Sequence, residues 1–376
     1  MKEKKSSQEK QQRNIRVLVV DDTALMRRVI GDVIQEQPGM EVAGTAFDGE
    51  DAINKVRLYK PDVVTMDLEM PRLDGISALK RIMSENPLPV IMVSTYTQQG
   101  SEKTIEALNQ GAVDFVPKPV SGLRKDAAER FMELLPEKIV AASQAKVARL
   151  VKERVEYKQP LAYPKAPRER HELAPGEREA EVLIVIGSST GGPKTLEELL
   201  RKMPADLPAA VLIVQHMPAG FTASLARRLN QVTSLEIKEG WHGAPLLEGT
   251  GLVAPGDYHM KVQGREVVLD SGPKVNHVRP AVDVLLESLT ETRQDVIGVI
   301  LTGMGKDGAS GARVLKARRG SQVVIVEDPR TAVVKGMPEA AIKAGSFDAV
   351  APLPEISEHI LRWMQSFREH GKPSFK

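Results

Sequence analysis

The loop Gly187-Ser188-Ser189-Thr190-Gly191-Gly192-Pro193 holds a hydroxyl whose setting suggests chemistry. An apolar run at 182–186 precedes it and a helix-like run at 194–200 follows, with Pro193 suited to a first helical turn. The chain turns sharply from strand to helix with Ser189 at the turn. The spacing is Gly-x-Ser-x-Gly, that of a nucleophile elbow. Backbone N–H groups at the helix start can stabilise a developing oxyanion. The same loop also suits an anion site, because glycine-rich strand-to-helix turns cradle phosphates. A P-loop is disfavoured, since Pro193 stands where its lysine belongs. A purely structural turn is the third reading.

A serine nucleophile needs a base, and an imidazole titrates near neutrality. His216 ends the apolar run 210–215, and Asp307 lies in Thr302-Gly303-Met304-Gly305-Lys306-Asp307-Gly308, after the run 296–301. An aspartate orients the ring and stabilises the imidazolium. All three residues fall at or just past the ends of expected parallel strands, the edge where such sheets bind and react. Local pattern leaves competitors: His242, His259 and His277 for the base, and Asp257, Asp283 and Asp328 for the acid.

A second group of reactive residues lies in the first half. Asp21 and Asp22 end one strand, Asp67 another, Ser94 a fourth and Lys118 a fifth. Clustered carboxylates repel unless a cation shares them, and hard oxygen donors suit Mg²⁺. The lysine and hydroxyl would hold phosphate oxygens, and one carboxylate could attack a phosphoryl group.

These residues require two α/β units. Between 16 and 116 five strand–helix units alternate, which predicts a flavodoxin-like parallel sheet. The second half predicts another, Rossmann-like, mostly parallel sheet with a small antiparallel insertion: a short strand at 251–254 and a hairpin around Gln263-Gly264. The expected division is a disordered tail at 1–14, a first domain at 15–135, a proline-bearing linker at 136–180 and a second domain at 181–370. With 376 residues, two domains are the natural reading, and 41 % hydrophobic content supports globular folding. A formal charge of +2 without a basic, aromatic-laced stripe argues against nucleic-acid binding. The absence of cysteine removes disulfides, thiolate metal sites and thiol nucleophiles. No leader or long apolar span is read, so a cytoplasmic protein without membrane insertion is expected.

Val-Val-Asp-Asp, Met-Asp-Leu-Glu-Met-Pro-Arg-Leu-Asp-Gly, Val-Ser-Thr and Val-Pro-Lys-Pro resemble a response-regulator receiver over about 14–125. That resemblance implies Asp67 as phospho-acceptor, with Mg²⁺ held by Asp21, Asp22, Asp67 and the backbone carbonyl of Glu69. It further implies Ser94 and Lys118 on the phosphate, Phe115 as the aromatic switch position and a cis Lys118–Pro119 bond. Ile-Gly-Ser-Ser-Thr-Gly-Gly-Pro, Gln-His-Met-Pro, Ala-Pro-Gly-Asp-Tyr-His and Leu-Thr-Gly-Met-Gly-Lys-Asp-Gly-Ala resemble the catalytic domain of the chemotaxis protein-glutamate methylesterase (CheB) family. This implies Ser189 as nucleophile, His216 as base, Asp307 as orienting acid, and Thr190 and Met304 near the oxyanion. It implies hydrolysis of glutamyl methyl esters on the cytoplasmic domains of chemoreceptors, with glutamine deamidation by the same chemistry. Mg²⁺ would serve receiver phosphorylation only, with no cofactor for ester hydrolysis, and a chemotaxis histidine kinase would donate the phosphoryl group. Two other classes stay open: a non-catalytic phospho-dependent adaptor, and a phosphate- or nucleotide-binding output domain.

Overall fold

The computed structural model describes residues 13–95, 97–119, 125–151, 177–318 and 320–370. Most of the expected tail and the middle of the expected linker lie outside them.

The first unit alternates β1 (Ile15–Val20), α1 (Ala24–Gln35), β2 (Met40–Ala46), α2 (Gly49–Tyr59), β3 (Val63–Asp67), α3 (Gly75–Glu85), β4 (Val90–Ser94), α4 (Gln98–Asn109), β5 (Asp114–Pro117) and α5 (Lys125–Ser143). Its sheet runs β2-β1-β3-β4-β5, with every pairing parallel. β3 and β4 are buried along their whole length, as strands covered by helices on both faces must be. Four helices start on side-chain caps: Thr23 accepts from the Met26 N–H, Asp48 from Asp51, Asp74 from Ser77 and Thr97 from Gly100. A Cβ on Gly75 would lie 2.0 Å from the Asp67 carbonyl, so only glycine lets α3 start against the end of β3. The apolar face of α5 continues through Phe131, Leu135, Ile139 and Ala142, all buried. The helix therefore runs past the expected boundary at 135 to Ser143, and a short α6 (Val147–Val151) follows.

The second unit comprises β6 (Val182–Ser188), α7 (Gly192–Leu200), β7 (Ala210–Gln215), α8 (Phe221–Val232), β8 (Glu236–Glu239), β9 (Thr250–Val253), β10 (His259–Gln263), β11 (Glu266–Asp270), α9 (Val282–Ser288), β12 (Asp295–Ile300), α10 (Ala309–Ala317), β13 (Gln322–Glu327), α11 (Gly336–Lys343), β14 (Ala349–Ala351) and α12 (Leu353–His370). Its sheet is ordered β14-β13-β12-β6-β7-β9-β8 and every pairing is parallel. β10 and β11 form the separate antiparallel hairpin that the sequence suggests. The chain enters at β6, in mid-sheet, then builds outward first on one side and later on the other. A crevice therefore opens at the carboxyl ends of β6 and its neighbours.

Candidate active site and phospho-acceptor site

Register brings the candidate residues of the second unit together. Ser188 pairs with Gln215, and Gly187 with both Val214 and Ile300. The next residues along therefore meet: the Ser189 N–H donates to the Thr302 carbonyl at 2.9 Å, and the His216 N–H to the Ser188 carbonyl at 3.1 Å. Across the crevice, His216 Nε2 lies 2.8 Å from Asp307 Oδ2. With Nε2 taken, Nδ1 is the ring nitrogen left to accept a proton. Among the described residues the Ser189 hydroxyl has no hydrogen-bond partner. Long or unmade catalytic hydrogen bonds are common before substrate binds.

Asp307 is 2 % exposed and fully engaged. Its Oδ2 also accepts the Val282 N–H at 2.6 Å, and its Oδ1 accepts the Asp283 N–H and Asn276 Nδ2, both at 3.1 Å. Burial pushes its pKa up, but the His216 contact and the Val282 and Asp283 backbone N–H donors outweigh burial and hold it below the usual carboxylate range. The result is a fixed anion beside the imidazole.

Thr190 and Met304 flank the same cavity, of about 400 Å³, with Ser189, His216 and Asp307. Their backbone N–H groups donate to no protein acceptor among the described residues, as oxyanion donors must. The Thr190 hydroxyl, by contrast, is taken.

Gln215 is a residue that sequence reasoning passed over, although it stands in the Gln-His-Met-Pro motif. Its buried amide accepts from the Ser188 hydroxyl at 2.7 Å and donates to the Ser189 and His216 carbonyls at 2.9 and 3.3 Å. It ties the ends of β6 and β7 together. A Cβ on Gly192 would lie 2.0 Å from the Gln215 Oε1, which is why glycine opens α7.

The competing residues sort themselves. His259 is buried against the Pro273 carbonyl, and Asp328 pairs with Arg330. Asp257 lies 3.6 Å from Arg130. His277 is exposed on the cavity wall, and Asp283 stands directly behind Asp307.

In the first unit, Asp21, Asp22 and Asp67 each offer an oxygen within 4.8 Å of the others. Lys118 Nζ lies 2.7 Å from Asp67 and 2.8 Å from Asp21. Burial raises the Asp67 pKa to about 6, against the hydrogen bond and charge of Lys118. Burial also works against the Lys118 ammonium, but its two carboxylate partners prevail and hold its pKa above the usual value. Three converging carboxylates, with the exposed residue Glu69 two places after Asp67, are a hard-oxygen donor set that fits Mg²⁺. Ser94 ends β4 within the core, its hydroxyl accepting from Thr104 at 2.8 Å. The expected cis Lys118–Pro119 bond is not found: among the described residues Arg279–Pro280 is the one cis bond. The Lys118 N–H already reaches the Ser94 carbonyl at 2.6 Å and its ammonium already reaches both carboxylates, so a trans bond places the residue.

The first unit packs on the second beside Ser189. Thr190 Oγ1 donates to Asp114 Oδ2 at 2.6 Å, and Lys138 holds Asp114 Oδ1 at 2.6 Å. The Gly191 N–H donates to the Val113 carbonyl at 3.1 Å. Phe115 packs against Phe221 with ring centroids 4.4 Å apart and the rings inclined at 35°. Ser101 and Ser224 hydroxyls meet at 2.9 Å, and Arg227 reaches Glu102 at 3.0 Å. Phe115, Pro117 and Lys138 close one wall of the cavity that holds Ser189.

Comparison with known proteins bears on both units. Residues 184–360 match the family model described as CheB methylesterase, and residues 17–125 match the response regulator receiver domain. A protein of Symbiobacterium thermophilum is 45 % identical over 362 residues, covering 93 % of this chain and 97 % of that protein. One from Pyrococcus abyssi is 43 % identical over 364 residues, covering 96 % of each. One from Halalkalibacterium halodurans is 44 % identical over 354 residues, covering 93 % of this chain and 98 % of its own length. Each of the three is called protein-glutamate methylesterase/protein-glutamine glutaminase.

Proposed function

Because the chain belongs to the CheB methylesterase family, with a receiver ahead of the methylesterase domain, we propose that it is a phosphorylation-regulated hydrolase of protein glutamyl methyl esters. The observation that carries the reading is the Asp307–His216 pair at 2.8 Å, with Asp307 buried, placed just past strands that flank β6 on both sides.

The Ser189 Oγ attacks the ester carbonyl while His216 Nδ1 takes its proton. Asp307 holds the ring through Nε2 and stabilises the imidazolium. The N–H groups of Thr190 and Met304 receive the oxyanion. His216 then protonates the departing methoxide, methanol leaves, and water activated by the same ring hydrolyses the acyl-enzyme to glutamate and free serine. The same cycle on a glutamine side chain releases ammonia, which matches the second half of the relatives' name. Substrates of this reading are the methylated cytoplasmic helices of chemoreceptors.

In the receiver, Asp67 attacks the phosphoryl group of a histidine kinase. Asp21, Asp22 and the Glu69 carbonyl would join it in holding Mg²⁺, which neutralises charge on the phosphoryl oxygens when bound. Lys118 and Ser94 receive the transferred group. Added charge at Asp67 competes for Lys118, and the β5 residues Asp114 and Phe115 carry the change to Thr190 and Phe221. The proposed division is a receiver from 15 to the end of α5, a linker reaching 180 and a catalytic domain over 181–370.

The reading is tested with a glutamyl methyl ester peptide and a serine-reactive fluorophosphonate. Wild type should release methanol from the peptide and carry the phosphonate on Ser189, and Ser189→Ala should do neither. Labelling at Ser189 without methanol would point to another acyl substrate. Failure of both would favour the adaptor class.

A further inference from the structure

Two buried carboxylates stand side by side behind the imidazole. Asp307 is 2 % exposed and Asp283 4 %. Asp283 Oδ1 is fixed by the Gly308 and Gly311 N–H groups at 2.9 and 2.6 Å, at the start of α10. Neighbouring carboxylates of like charge repel. Asn276 bridges them: its Nδ2 lies 2.8 Å from Asp283 Oδ2 and 3.1 Å from Asp307 Oδ1. That nitrogen carries two hydrogens, one for each carboxylate, and an amide oxygen in its place would repel both. Asn276 sits in a tight turn closed by the Val275–Val278 bridge, at φ 51°, a backbone region that asparagine tolerates.

We infer that Asn276 is a positioning residue for the acid–base pair: its amide separates Asp283 from Asp307 and, by donating to Asp307 Oδ1, sets the basicity of the imidazole that Oδ2 holds. The inference rests on the Ser189–His216–Asp307 reading. A donor on Oδ1 draws charge away from the carboxylate, leaving less to hold the ring proton. Without that donor, Asp307 binds the imidazolium more strongly and His216 loses its proton at higher pH.

Other charged groups also face this centre. Lys274, His277 and Arg279 share the Asn276 loop, and Lys306 precedes Asp307. Arg130, Glu133, Glu137 and Lys138 face the cavity from α5. All stay in place when Asn276 is changed. His277 is the one histidine among them, so the comparison is made in a His277→Gln background.

The variants are Asn276→Gly and Asn276→Asp, both compatible with a left-handed backbone. Two quantities are followed against pH in the full chain: the His216 ring titration, by NMR of ¹³C-labelled histidine assigned with His216→Gln, and the rate of Ser189 modification by fluorophosphonate. Asn276→Gly should raise the His216 midpoint by about half to one pH unit, the scale of one lost hydrogen bond to a charged group. Asn276→Asp should raise it further. Below the midpoint, Ser189 modification should slow by up to about tenfold in Asn276→Gly, following the smaller fraction of free base. Adding Asp283→Asn to Asn276→Gly should move the midpoint back, since it removes the charge that the amide shields. An unmoved midpoint in both single variants, with only a lower Tm, would make Asn276 a turn residue and overturn the inference. If wild-type Ser189 does not react at any pH, the triad reading fails, and the His216 midpoint still decides what Asn276 does.

Discussion

At the residue scale, the proposed nucleophile Ser189 is paired with a proposed base, His216, whose Nε2 is held by Asp307. Ser189→Ala should lower methanol release by on the order of 10⁶, the scale seen when a triad nucleophile is removed. Asp307→Asn should cost about 10⁴, because the ring loses its fixed tautomer. Asp67 carries a separate expectation. Its pKa of about 6 lies above the ordinary 3.8, so the folded protein binds the extra proton between those values. Stability conferred by that proton is complete below pH 3.8 and is lost as pH rises through about 6. Without divalent cation at pH 7.5, Asp67→Asn should therefore be more stable than wild type by up to about 3 kcal/mol, less whatever the Lys118 pair contributes. That difference should vanish in melts below pH 4, and Mg²⁺ should raise the wild-type Tm but not that of Asp67→Asn. These reactive residues were legible in the sequence because their chemistry demands particular side chains at strand ends. Asn276 and Gln215 were not, because an amide's role depends on which carbonyls and carboxylates surround it in space.

At the element scale, the site follows from strand order. β6 lies between β12 and β7, so the loops after these three strands converge whatever their distance in sequence. The apolar runs revealed those strands, and the alternation of strand and helix revealed both sheets. β8 and β14 escaped notice because they are edge strands: β8 carries three charged residues in four, and β14 is only three residues long. Their pairing comes from neighbours rather than from their own pattern. Gly192 tests the fit between β6, β7 and α7. Gly192→Ala places a Cβ 2.0 Å from Gln215 Oε1. It should cost about 1–3 kcal/mol in denaturant unfolding, the usual range for overpacking. Fluorophosphonate labelling of Ser189 should slow with it, because Gln215 positions both the nucleophile and base carbonyls. A full-rate, full-stability Gly192→Ala would remove the structural role given to Gln215.

At the scale of the whole molecule, the receiver lines part of the cavity that holds Ser189 and takes the Thr190 hydroxyl through Asp114. No helix among the described residues is long and apolar enough to cross a membrane. The two domains were legible in the sequence, but their mode of packing was not, since Phe115 on Phe221 and Ser101 on Ser224 are contacts between surfaces far apart in the chain. The rim pair Arg227–Glu102 offers a mild way to loosen them. Arg227→Glu should raise the unphosphorylated rate up to about fivefold, matching an exposed pair worth at most about 1 kcal/mol. Glu102→Arg in the same chain should lower it again. Control of Ser189 by Asp67 is tested most directly by methanol release from methylated receptor membranes, in wild type, Ser189→Ala and Asp67→Ala, with and without Mg²⁺ and a small phosphodonor. Release should rise with phosphodonor in wild type, be absent in Ser189→Ala, and persist at an unstimulated basal level in Asp67→Ala. Equal stimulation of Asp67→Ala, or undiminished release by Ser189→Ala, would contradict it.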